Sequence, residues 1–287
     1  MIRRDLLTAA LALSVTGVVM TTGAAWAENL WETLPFPTSY PAATSEGYAD
    51  INGIRLYHAQ WGAGDPVILL HGGLGSIEAW ANQIPEVAKT HKVIAIDSRG
   101  HGRSTRDATP YSYTLMASDV LALMDEMGIA KAAVLGWSDG GIIALEIAIT
   151  HPDRISGALT VGTNYNLDGL DPGIETNAVF GKYVGQAAGL YASISPTPDQ
   201  FEAFVGDIAG MWGSQPDYSE DQLKSVSAPF TVVQALQDEA IIDEHAAKMA
   251  ALLPGSSYVP MEGVSHFAMW QDPARMNGEI RKFLDSQ

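Results

Sequence analysis

The residues of this chain that could do covalent chemistry fall into four short blocks. Leu135-Gly136-Trp137-Ser138-Asp139-Gly140-Gly141 sets one serine between two glycines, behind an apolar run and ahead of a helix-length segment. Glycines at 136 and 140 let a strand and a helix approach closely around a sharp turn, which leaves the Ser138 hydroxyl exposed at the carboxyl edge of a sheet. A serine hydroxyl is a weak nucleophile until a base removes its proton. Downstream, Gly263-Val264-Ser265-His266-Phe267 offers an imidazole and Gln237-Asp238-Glu239 a carboxylate. In that pairing His266 takes the proton, and Asp238 holds the imidazole tautomer and stabilises the cation. Glu239 and Asp243 are the alternative acids.

The fourth block, His71-Gly72-Gly73-Leu74-Gly75, also follows an apolar run. It could bring the backbone N–H of Gly73 or Leu74 beside that of Asp139, and such donors stabilise an oxyanion as it forms. The missing side chain at Gly73 would ease the approach of substrate, and His71 would buttress its loop. Each block has a plainer reading, a capping serine, a loop aspartate or a surface histidine, but the chain order of serine, acid and base argues against coincidence. Trp137 and Phe267, beside the serine and the histidine, are candidates to line a substrate pocket. Met269, Trp270, Trp212 and Tyr165 are further candidates, with core packing the competing explanation for those in the inserted segment.

Other chemistries are poorly served. No Gly-Lys-Ser/Thr ending or Gly-x-Gly-x-x-Gly run is present, so a nucleotide site is not expected. Cysteine is absent, and His58, His91, His101, His151 and His245 lack the spacing of metal ligands. We therefore expect no metal and no cofactor. A net charge of −17 has the wrong sign for gripping nucleic acid.

The elements that must position these residues form an alternating pattern. Gly47 to Ile51 and Ile54 to Gln60 flank Asn52-Gly53, a two-residue hairpin signal. Apolar runs at Val67 to Leu70, Val93 to Ile96, Ala132 to Leu135 and Ala158 to Val161 alternate with predicted helices at Ile77 to Lys89, Leu115 to Met127 and Gly141 to Ile149. Runs apolar on both faces and separated by helices imply a parallel sheet covered on each side. The alternation stops between Gly162 and Ala228, where helices are predicted near Ala178 to Tyr191 and Gln200 to Met211. It resumes with Phe230 to Ala235, a helix from Asp243 to Leu253, Ser257 to Met261 and a helix from Pro273 to Leu284. This divides the chain into an α/β core at residues 47–162 and 228–287, a lid insertion at 163–227 and an extended lead-in at 28–46.

With these blocks in place, the chain from about Gly47 to Leu284 resembles the α/β-hydrolase superfamily, in a form with one lid. Asp97-Ser98-Arg99-Gly100-His101-Gly102-Arg103-Ser104 resembles that family's Asp-x-Arg-Gly-x-Gly-x-Ser turn. The resemblance implies a mostly parallel, eight-stranded sheet with helices on both faces. Members with aspartate at the elbow are haloalkane dehalogenases and many epoxide hydrolases, and Ser138 argues against both. The elbow itself is similar to that of valacyclovirase-like (biphenyl hydrolase-like) amino-acid ester hydrolases. That likeness makes Asp139 a candidate to hold a substrate ammonium, beside its other role as a helix-start carboxylate.

The expectation is a serine hydrolase acting on a small-molecule ester through an acyl-enzyme on Ser138. Carbon-carbon bond hydrolysis or lactone opening on the same triad are the alternatives, and a silent binding protein on the same fold is the alternative of another class. Its pH profile should rise through the ordinary histidine range, roughly 6 to 7. Compartment is signalled by Arg3-Arg4, an apolar run from Leu6 to Met20 and Ala25-Trp26-Ala27, the order of an export signal cut before Glu28. Losing Arg3, Arg4 and Asp5 would take the net charge from −17 to −18, giving an acidic periplasmic or secreted protein with no stable membrane span.

Overall fold

The computed structural model describes residues 29–287, so the expected export signal lies outside the described residues. Eight strands form one sheet in the order β1-β2-β4-β3-β5-β6-β7-β8. They are β1 (Ser45–Ile51), β2 (Ile54–Trp61), β3 (Pro66–Leu70), β4 (Lys92–Ile96), β5 (Ala132–Trp137), β6 (Ile155–Val161), β7 (Phe230–Ala235) and β8 (Ser257–Met261). Strand β2 is antiparallel to β1 and β4, and the remaining pairs are parallel. The hairpin turns at Asn52 and Gly53, both with positive φ (47° and 82°), the twist that a two-residue turn needs to match its strands. Every residue of β5 is buried, as expected of a central strand covered on both faces.

The helices are α1 (Ile84–Val87), α2 (Tyr113–Glu126), α3 (Asp139–Thr150), α4 (Ala178–Ile194), α5 (Phe201–Trp212), α6 (Glu220–Ser225), α7 (Asp243–Leu252), α8 (Ala268–Gln271) and α9 (Pro273–Leu284). The helix expected over Ile77 to Lys89 is broken into a 3-10 turn at Ile77–Trp80 and the single turn of α1. Pro85 explains the break, because it has no N–H to continue a ladder from Ile77 and fits only in a first turn. Helix α6 was not expected. It is short, but a capping box signals its start, with Ser219 accepting the Gln222 N–H while the Gln222 side chain accepts the Ser219 N–H.

Between β6 and β7 the chain leaves the sheet for residues 163–227, which carry α4, α5 and α6. Phe204 of α5 packs edge-on against His101 at 4.7 Å and stacks on Tyr191 of α4 at 5.3 Å. Arg106 adds an ion pair with Asp207 at 3.0 Å. Among the described residues, no helix is long and apolar enough to cross a membrane.

Candidate active site

Ser138 sits between β5 and α3 with φ 53° and ψ −118°, a left-handed conformation rare for a residue with a side chain. The turn is held from outside. The Ser138 N–H donates to the Val161 carbonyl at 2.8 Å on the neighbouring strand, and Gly140 passes so close to β3 that an added Cβ would lie 2.1 Å from the Leu70 carbonyl oxygen. Backbone strain of this kind survives only where the surroundings over-determine it, and it lifts the serine away from both strand and helix.

Asp238 and His266 arrive on the loops after β7 and β8. His266 Nδ1 lies 2.9 and 3.0 Å from the two Asp238 carboxylate oxygens. Their side chains are 2% and 1% exposed. Asp238 Oδ1 also accepts the N–H groups of Ala240 and Ile241, at 2.8 and 2.9 Å, which aims the carboxylate. Burial opposes charging of His266, but the negative charges of Asp238, Glu239 and Asp139 outweigh it and hold the imidazole above its ordinary value of 6.5. Of the alternative acids, Glu239 accepts the His266 backbone N–H at 3.0 Å, and Asp243 bonds the Tyr258 hydroxyl. Gly162 makes room for the pair, since a Cβ there would lie 2.7 Å from His266 Nδ1.

The loop after β3 lies against the elbow, an added Cβ at Gly72 falling 3.0 Å from Ser138 Cβ. His71 organises this loop with both ring nitrogens. Nδ1 donates to the Gly72 carbonyl at 2.7 Å, while Nε2 accepts the Ser98 N–H at 3.0 Å. Only one tautomer satisfies both bonds, and burial keeps the ring neutral by pulling its pKa down to about 4. Among the described residues, the N–H groups of Gly73, Leu74 and Asp139 donate to no protein acceptor. Gly73 does not open onto substrate as expected, because its Cβ position is taken by the Trp212 indole, 2.2 Å away, and by the Asp139 carboxylate, 2.7 Å away.

Asp139 is buried at the first turn of α3. Its Oδ1 accepts the Tyr113 hydroxyl at 2.8 Å, and Trp212 Nε1 of α5 donates to Oδ2 at 2.9 Å and Oδ1 at 3.1 Å. Burial, only partly offset by these two donors, pushes its pKa up to about 6. Ser138, Asp139 and His266 line one cavity of about 390 Å³, the size of a small-molecule site. Its walls are largely apolar, with Leu170, Ile174, Phe180, Ala209, Pro216 and Ile241 among them, and Asp171 and Glu175 add carboxylates.

Trp137 and Phe267 are fully buried and are not among the residues lining this cavity. Trp137 instead donates its indole N–H to the His266 carbonyl at 3.0 Å, and its ring packs on Phe267 and Trp270 behind the reactive groups. Tyr165 stacks on His245 at 4.1 Å, whereas Trp212 does face the cavity. Tyr113 and Gly162 escaped sequence reasoning. A glycine right after an apolar strand is a visible signal for Gly162, but nothing local marks Tyr113.

A sequence model of the family described as "alpha/beta hydrolase fold" matches residues 65–203. The chain is 38% identical over 123 residues to the "Putative carbamate hydrolase RutD" of Azorhizobium caulinodans, an alignment covering 43% of this chain and 46% of that protein. The match thus spans less than half of that curated relative's length. Among solved structures, Est816, described as an N-acyl homoserine lactone degrading enzyme, is 28% identical with a TM-score of 0.65, covering 83% of this chain and all of that one. A meta-cleavage product hydrolase from Pseudomonas fluorescens IP01 has a TM-score of 0.72 at 19% identity, covering 85% and 98%. The chain thus has the α/β-hydrolase fold, with the mostly parallel eight-stranded sheet that its sequence blocks imply.

Proposed function

We propose that this protein is an exported serine hydrolase that cleaves a small carboxylic ester. The observation that carries the reading is the His266–Asp238 hydrogen bond at 2.9 Å, formed on two strand-end loops beside the cavity that Ser138 also lines. Ser138 Oγ attacks the ester carbonyl as its proton passes to His266 Nε2, and Asp238 stabilises the imidazolium. The carbonyl oxygen becomes an oxyanion that accepts the free N–H groups of the Gly73–Leu74 loop and Asp139. The tetrahedral intermediate expels the alcohol, which leaves with the proton from His266. Water, deprotonated in turn by His266, attacks the acyl-enzyme and releases the acid and free Ser138. Every step uses the chain's own residues, so the reading needs no cofactor.

Lactone opening is the second reading, favoured by likeness to the lactone-degrading Est816 over 83% of the chain. It differs only in that the alcohol stays tethered to the acid. Residues 163–227 act as the lid in either case, and residues 1–27 as an export signal that directs the mature chain to the periplasm or beyond. A fluorophosphonate should label Ser138, and a panel of acyl esters, lactones and amino-acid esters should separate the substrates. Labelling of a different serine, or none, rejects the mechanism. Finding Met1 intact on active protein embedded in a membrane rejects export.

A further inference from the structure

Tyr183 of α4 reaches across from the inserted segment and donates its hydroxyl to the Gly73 carbonyl at 2.6 Å. It is fully buried, its ring packed between Trp137 of the nucleophile strand and Phe267 of the histidine loop, at 5.7 and 5.0 Å. A trans peptide is planar, with its C=O and N–H pointing in opposite directions. Holding the Gly73 carbonyl therefore fixes the direction of the Leu74 N–H, which belongs to the same peptide. The preceding peptide is held the same way, for the Gly72 carbonyl accepts His71 Nδ1 at 2.7 Å and the Gly75 N–H at 3.0 Å, fixing the Gly73 N–H. Without such restraint this stretch would be soft, since a residue lacking Cβ tolerates rotation of its flanking peptides.

We propose that Tyr183 is a positioning residue for the oxyanion-binding loop, so that the inserted segment helps to build the catalytic machinery as well as the cavity wall. The proposal rests on the Ser138 reading above. A second contact from the same segment points the same way, because Trp212 fills the space beside the Gly73 Cα and bonds Asp139, whose own N–H is the partner donor. Two helices of the insertion thus hold the two sides of one anion site.

The test compares the wild-type protein with Tyr183→Phe, which removes one oxygen and keeps the ring. Fluorophosphonate labelling of wild-type Ser138 reads the mechanism, and its absence overturns both inferences. On separate, unlabelled enzyme, the readouts are kcat and KM for a p-nitrophenyl ester, with inhibition by an alkyl trifluoromethyl ketone and by the corresponding carbinol. The ketone adds Ser138 to form a tetrahedral oxyanion, whereas the carbinol fills the same space without that charge. Tyr183→Phe should lower kcat roughly 10-fold, less than the 10²–10³-fold of deleting an oxyanion donor outright. Ketone affinity should fall by the same factor, with carbinol affinity and KM unchanged. Unchanged kcat and ketone affinity overturn the role of Tyr183 while leaving Ser138 in place, as does equal weakening of ketone and carbinol. If Tyr183→Phe does not fold, 3-fluorotyrosine installed at Tyr183 keeps the hydroxyl and makes it a stronger donor. The ratio of ketone to carbinol affinity should then shift, and an unshifted ratio overturns the proposal.

Discussion

Glu239 and His266 are joined through the main chain of one and the side chain of the other, Glu239 Oε2 accepting the His266 N–H at 3.0 Å. Asp238, one residue earlier, takes the imidazole of the same histidine. Adjacent carboxylates thus hold the base at two points, and both favour its protonated form.

This predicts how Glu239→Gln behaves. The amide oxygen can still accept the backbone N–H, but the negative charge is gone. The limb of kcat/KM that reports His266 deprotonation should move to lower pH, with little loss of rate on the plateau. Glu239→Ala, which also removes the acceptor, should lose plateau rate as well. A pH profile of the three proteins checks this, and an unmoved limb in Glu239→Gln would show that the charge does not reach the imidazole.

His266 acts as a base only when neutral, so activity rises with pH as the ring loses its proton. Its folded value is raised above 6.5, so the limb should sit above the ordinary histidine position, higher than sequence alone led us to expect. Asp238→Asn should shift it down and cut kcat steeply, by about 10⁴-fold on the precedent of a serine protease triad. Ser138→Ala or His266→Ala should cost on the order of a million-fold, again by protease precedent. Steady-state rates with mass-spectrometric mapping of the phosphonate adduct test all three.

Asp139 gives a sharper choice. Its carboxylate already takes the Tyr113 hydroxyl and the Trp212 indole, so we expect its structural role to dominate. Asp139→Asn leaves an amide N–H₂ facing a donor, and disturbing such a buried bond costs about 1–3 kcal/mol. The variant should melt earlier and lose activity equally on an α-amino ester and its des-amino analogue. Selective loss on the amino ester would instead make Asp139 an ammonium anchor.

Gly162→Ala should damage the site without replacing a reacting group. The residue has φ 57°, and a Cβ there would meet His266 Nδ1 at 2.7 Å. The left-handed conformation alone costs roughly 1–2 kcal/mol with a side chain present. The rate of phosphonate labelling should drop together with the melting temperature, and unchanged labelling would mean that the loop absorbs the methyl group.

How much of this was legible depends on the range of each interaction. The elbow around Ser138 and the ends of β7, β8 and α9 are set by neighbours in sequence, and they stand where pattern and glycine spacing put them. Pro85 is a local signal too, since a proline fits only the first turn of a helix, and the pattern over Ile77 to Lys89 runs across it. Trp137 and Phe267 show a different limit: hydrophobicity alone does not say whether a ring faces a cavity or the packing behind it. Tyr183 and Gly73 lie 110 positions apart, and no periodicity reports a bond of that span.

The apolar cavity wall is drawn mostly from residues outside the sheet, while the reacting groups hang from strand ends. Leu170, Ile174, Ala209 and Pro216 can therefore drift under selection for new substrates without loosening the sheet. Trp212 lacks that freedom, because its indole also serves the residue after the nucleophile. A graft of this insertion from a relative would have to bring its own partner for Asp139, or change both residues together.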